Sequence, residues 1–174
     1  GIIYNRGQFY KETINWKWSW PVHEVCGSTE EKSIEVLINA CVYPSTDGAR
    51  SKDPQKYLRD AVIFESWLLD HPKDARGWFY LAQSYRDGGQ PEKGISPLLK
   101  CLECSRWDEE MFMSHLRLGR YKLEGGDPFE KVVSHYLDAF ECRPTRAEPL
   151  YDMLNYYRAH NKFILGVMTG ELAL

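Results

Sequence analysis

The chain has no apolar run near the roughly 18 residues that a membrane-spanning helix needs, which excludes such a span. It also lacks strong charge of either sign. Its 22 Lys and Arg stand against 25 Asp and Glu, a formal charge of −3, so there is no general attraction to nucleic acid or to an anionic membrane. Chemistry is equally sparse. No Asp-x-Asp, Gly-x-Gly-x-x-Gly, phosphate-binding loop or Gly-x-Ser-x-Gly occurs, and no pair of catalytic groups converges, so no catalytic residue is assigned. Five cysteines in 174 residues are too few for a disulfide scaffold and odd in number. Free thiols in a reducing, cytoplasmic setting are expected. There is no signal-peptide pattern and no first Met, and Gly1 opens what reads as a strand, so a piece of a longer protein is expected.

What the chain does have is phased large and small side chains. Counting from Ala75, residues Trp78, Leu81, Ala82, Tyr85, Gly94, Leu98 and Cys101 fall at positions 4, 7, 8, 11, 20, 24 and 27. Small residues let two antiparallel helices approach, and large ones fill the seam. Gly88-Gly89 can end the first helix with positive φ, and Pro91 can open the second without needing its N–H. Leu116 and Leu150 lie 34 residues apart, while Trp78 and Leu116 lie 38 apart. The four extra residues predict a longer helix around Trp107–Leu123 or a longer turn. Tyr136, Ala139 and Pro144 take positions 24, 27 and 32 of a unit starting at Met113, and Phe64 and Pro72 take 24 and 32 of a degenerate earlier unit. A 34-residue period of this kind is the tetratricopeptide (TPR) pattern. The expected fold class is therefore mainly α: TPR-like antiparallel helical hairpins, a right-handed α-solenoid, over residues 55–174. Phe163 to Leu174 is expected to be the capping helix that shields the last repeat.

Residues 1–54 read differently. Gly1–Tyr4, Trp16–Val22 and Ile34–Tyr43 are rich in β-branched and aromatic residues and are separated by Asn-Arg-Gly, Gly-Ser-Thr-Glu and Pro-Ser-Thr-Asp-Gly breaks, so they predict short strands. Three such strands make no independent core. They would form a small sheet against the helices or the edge of a larger one. Alternation puts Trp16, Trp18 and Trp20 on one side of a strand, as core or as an exposed surface.

The aromatic run Trp16-Lys17-Trp18-Ser19-Trp20-Pro21 is followed by Val22-His23-Glu24. Further along come Phe79-Tyr80-Leu81-Ala82-Gln83-Ser84-Tyr85, Trp107-Asp108-Glu109-Glu110 and Arg143-Pro144-Thr145-Arg146-Ala147-Glu148-Pro149-Leu150. In this order the segments resemble inverting glycosyltransferases of the family 2 type, in which a GT-A domain precedes a TPR-like tail. The resemblance implies that residues 1–54 are the C-terminal end of the GT-A domain. It implies that His23 matches the imidazole that binds the divalent metal beside the sugar-nucleotide diphosphate. Glu24 would orient that ring or shape the acceptor side, and Trp18 and Trp20 would contact substrate. A neutral imidazole suits an oxygen-rich Mn or Mg shell whose cation neutralises the leaving diphosphate. The Asp-x-Asp and the nucleotide-binding half would lie upstream. No cofactor is therefore expected in this chain alone, Mn or Mg and the sugar nucleotide belong to the intact transferase, and this chain alone is expected to be inactive.

Positions 2, 5, 9 and 12 of each first helix line the concave face of a TPR stack. They are Arg76, Phe79, Gln83 and Arg86, then Ser114, Arg117, Tyr121 and Glu124, then Glu148, Tyr151, Asn155 and Arg158. Four arginines among Phe and Tyr suggest a groove for an acidic or carboxylate-bearing peptide, protein or glycan acceptor, or a face that pairs two copies. The plainer reading has the arginines paired with neighbouring acids and the aromatics packed between units. The same groove would serve a non-enzymatic TPR adaptor. Cys101-x-x-Cys104 lacks a second pair and reads as core filler rather than half a zinc site. His115 and His135 have no His-x-x-x-His or Glu-x-x-His partner and read as ordinary helical side chains. Asp108-Glu109-Glu110 suits a helix start.

Overall fold

The computed structural model describes residues 10–30, 33, 35, 48 and 52–173. By its internal contacts the chain divides into two units, Gly1–Pro54 and Gln55–Leu174.

In the first unit, β1 (Lys17–Ser19) pairs antiparallel with β2 (Val25–Gly27), with Trp18 opposite Cys26. The predicted strand Trp16–Val22 is shortened to β1. Trp20 turns into the left-handed region at φ 69° and Pro21 carries no N–H, so the ladder cannot continue through them. The indole of Trp16 donates to the Lys11 carbonyl at 2.9 Å, and Tyr10 meets the rings of both Trp16 and Trp18 edge-on. The predicted strand Gly1–Tyr4 lies outside the described residues, and so does Ile34–Tyr43 apart from Glu35.

The second unit is helical. Its elements are α1 (Lys56–Asp70), α2 (Ala75–Asp87), a 3₁₀ turn (Pro91–Gly94), α3 (Ile95–Cys104), α4 (Asp108–Glu124), α5 (Phe129–Cys142), α6 (Glu148–Ala159) and α7 (Phe163–Glu171). The described residues are thus mainly α, and each helix packs on the next. Asp74 caps α2 by accepting the Gly77 N–H at 3.1 Å, and its other oxygen accepts the indole of Trp67 on α1 at 2.9 Å. Pro128 stands at the capping position of α5, which leaves that end without a side-chain cap, and the helix starts at Phe129.

Helices α2, α4 and α6 all end in the same way. Gln90, Asp127 and Lys162 donate back to the carbonyls of Tyr85, Lys122 and Tyr157 at 2.8, 2.9 and 2.9 Å. The residue before each donor has positive φ: Gly89 at 77°, Gly126 at 89° and Asn161 at 56°. Glycine, or asparagine in its place, is what such a helix exit requires. The four extra residues in the sequence phasing fall in α4, which has 17 residues against 13 in α2.

The core follows the large–small phasing. Phe64, Leu98 and Tyr136 are fully buried, as are the small residues Ala82, Cys101 and Ala139. One cluster gathers Phe112, Leu116, Phe129, Val132, Tyr136, Ala139, Leu150 and Met153 from α4, α5 and α6, and another gathers Ala82, Leu98, Leu118 and Tyr121 from α2, α3 and α4. Gly94 allows the Tyr121 ring to approach the 3₁₀ turn, because a Cβ there would sit 3.0 Å from the ring. Arg146 binds both Glu109 and Glu148 and lies 4.2 Å over the Phe112 ring, while Arg143 reaches Glu109 at 3.3 Å. This clamp ties the start of α4 to the start of α6 through Glu109. Glu110 itself is buried and accepts from Ser105 at 2.7 Å.

Helix α7 packs on α6, but it lacks the polar outer face expected of a capping helix. Only Gly166 and Thr169 of α7 are buried, with Gly166 beside Leu154 and Tyr157, whereas Phe163, Ile164, Val167 and Met168 are exposed. A shielding helix would carry a polar outer face. This one carries an apolar face.

Candidate binding groove between the second and fourth helices

The candidate site is built around Arg117. Phe79 and Gln83 lie one turn apart on α2, and Arg117 and Tyr121 lie one turn apart on α4, so each pair shares a helix face. The faces meet. One guanidinium nitrogen of Arg117 donates to Gln83 Oε1 at 2.9 Å, and the guanidinium lies 4.2 Å over the Phe79 ring. The other terminal nitrogen is buried with no hydrogen-bond partner, and so is the Tyr121 hydroxyl. Burial pushes the Arg117 pKa down, although guanidinium stays charged in proteins, and pushes the Tyr121 phenol up. At neutral pH the site therefore holds a cation and a phenolic O–H, both with unspent donors. Arg86 and Asp87, paired at 3.3 Å, lie within electrostatic reach of Arg117 and Tyr121.

A planar guanidinium braced on an aromatic face and fixed by an amide is preorganised, so little side-chain entropy remains to be lost on binding. Unspent buried donors cost free energy until an acceptor arrives. A carboxylate offers acceptors of the right charge and geometry.

The other residues expected to line a groove are less convergent. Arg76 lies 4.8 Å over the ring of its neighbour Tyr80. Ser114 does not line the groove. It is fully buried and donates to Cys101 Sγ at 3.4 Å, because the longer α4 places it in mid-helix against α3 rather than in a first turn. Glu148 is taken up by Arg146, Glu124, Tyr151 and Arg158 are exposed, and Asn155 is half-buried. A second tie between α4 and α6 runs through Arg120 and Asp152 at 2.6 Å, residues that the repeat phasing did not single out. A separate shallow hollow of about 420 Å³ is lined by Glu65, Leu68, Trp78, Tyr85 and Lys93 among others, but there Tyr85 already donates to Glu65.

In the first unit, His23 sits in the turn between β1 and β2 at φ 57° and is exposed, as are Glu24 and Trp18, while Trp20 is half-buried. Among the described residues, the one group of His, Cys, Asp and Glu spaced to hold a metal comprises His115, His135 and Asp138, not His23. The sequence carries only half of that signal, the His135-x-x-Asp138 spacing, because His115 comes from the facing helix.

No protein-family model matches the chain, and no curated protein matches it.

Proposed function

We propose that residues 55–174 form a TPR-like binding module in the C-terminal portion of a glycosyltransferase, and that its α2–α4 groove takes a carboxylate-bearing acceptor or partner. The carrying observation is Arg117, held by Gln83 and Phe79 with a buried N–H still unspent beside the unspent Tyr121 hydroxyl. The common exits of α2, α4 and α6 and the buried residues at equivalent phased positions support the repeat reading. The order of Val22-His23-Glu24 and the three tail segments supports the transferase reading, with metal, sugar nucleotide and catalytic groups supplied by the intact enzyme.

The test is calorimetric titration of acidic peptides and uronate-containing oligosaccharides into the whole chain. Arg117→Ala should weaken the best ligand by about 1.5–3 kcal/mol, the range for a hydrogen bond to a charged group. Tyr121→Phe keeps the packing and should weaken it by a smaller amount. Unchanged affinity in both variants would remove the groove from the reading.

A further inference from the structure

We propose that His115, His135 and Asp138 form a binding site for a borderline divalent transition-metal cation, Zn²⁺ in the first instance, on the α4–α5 face of the helical unit. The three residues come together through helix geometry. His135 and Asp138 are three residues apart on α5 and so share a face, and His115 meets them from α4. The two imidazole centroids lie 5.9 Å apart, and His115 Nδ1 is 3.7 Å from an Asp138 carboxylate oxygen. One ligand atom from each residue falls within 4.8 Å of the others. The separation of α4 and α5 is fixed next to the site, since Gly119, one turn beyond His115, abuts the ring of Tyr136, which follows His135.

The nitrogens have nothing else to do. Nδ1 of His115 and Nδ1 of His135 are both buried without a hydrogen-bond partner, which is uncommon for buried polar atoms and calls for an explanation. A cation held between the two rings offers one. Burial also pushes both imidazoles toward the neutral form that ligates metal, outweighing the pull of Asp138 on His115. Lys122 and His115 push His135 the same way.

Access and a further ligand are available. A shallow surface hollow is lined by His115, Asp138, Glu141 and Cys142. Burial and the surrounding carboxylates hold the Cys142 thiol protonated, so water or Glu141 would complete the shell more readily than sulfur. Two imidazoles and one carboxylate suit Zn²⁺ and its transition-metal neighbours, whereas Mg²⁺ and Ca²⁺ require shells built of oxygen. Lys122 opposes the cation, and the Asp138 carboxylate offsets it.

The experiment titrates Zn²⁺ by calorimetry, and Co²⁺ by visible absorption, into the reduced full chain. One equivalent should bind, the unfolding temperature should rise with Zn²⁺, and the ring protons of His115 and His135 should shift together in NMR spectra of the unmodified protein. His115→Gln, His135→Gln and Asp138→Asn should each weaken binding by at least about tenfold with helix content unchanged, while Cys142→Ser should retain it. The proposal falls if the histidine ring protons do not move. It also falls if both histidine variants bind normally while Cys142→Ser does not, since the metal would then sit on thiols.

Discussion

The ring of Tyr136 on α5 lies so close to Gly119 on α4 that a Cβ at 119 would stand 2.8 Å from Cε1 and 2.9 Å from Cζ. Tyr136 is itself fully buried among Leu116, Val132 and Leu150 and has nowhere to retreat. Glycine in a helix interior normally costs about 1 kcal/mol against alanine. Here the steric term should win. Gly119→Ala is expected to destabilise the helical unit by about 1–3 kcal/mol, as overpacking does, in a urea titration followed by circular dichroism. A stabilised variant would mean that α4 and α5 are not held at this distance.

Arg117 and Gln83 couple α4 to α2 through one charged hydrogen bond at 2.9 Å in a half-buried setting. A double-mutant cycle with Arg117→Met and Gln83→Leu should return a coupling of about 1–2 kcal/mol in unfolding free energy, below the ceiling for fully buried charged bonds. Zero coupling would show that the guanidinium is held by Phe79 alone.

Much of the helical unit was legible because burial and spacing agree. Leu81, Ala82, Leu98 and Cys101, read from the large–small pattern, are all buried, and Gly89 takes the positive φ that its position in the sequence suggested. Three features were not legible, each for its own reason. Strands of three residues, such as Val25–Gly27, are shorter than any alternation that could announce them. The inward turn of Ser114 depends on the four extra residues of α4, which shift which face of that helix meets α3. The meeting of His115 with His135 and Asp138 depends on how two helices lie side by side, and no spacing along one chain encodes that.

Two acid-sensitive steps should appear in stability against pH. His115 and His135 have folded pKa values lowered from 6.5, chiefly by burial, so the unfolded chain binds more protons below that value. Their contribution is full above about pH 6.5 and is lost as pH falls toward the folded values. Glu148 is lowered from 4.5, chiefly by its bond to Arg146. Its contribution is present above that pH and is lost on further acidification. Denaturant midpoints measured in metal-free buffer should therefore fall in two stages. The double variant His115→Gln/His135→Gln should flatten only the upper stage, and Arg146→Met only the lower.

Cys101 should be chemically silent in the folded protein. Its side chain is fully buried, its sulfur accepts the Ser114 hydroxyl, and burial pushes the thiol up to about 12 from 9.0. The thiolate is the nucleophile, so reactivity at pH 8 is suppressed twice, by the lack of access and by the lack of ionisation. Cys104, one turn away, is only half-buried. Brief alkylation followed by peptide mass spectrometry should label Cys104 while sparing Cys101, and in urea the two should label alike. The rate at Cys101 in native buffer then reports opening of the α3–α4 seam, and it should rise in Ser114→Gly, which leaves a void where the hydroxymethyl group filled the contact. Labelling of Cys101 as fast as Cys104 in the native protein would place Cys101 outside the core and undo the packing assigned to α3.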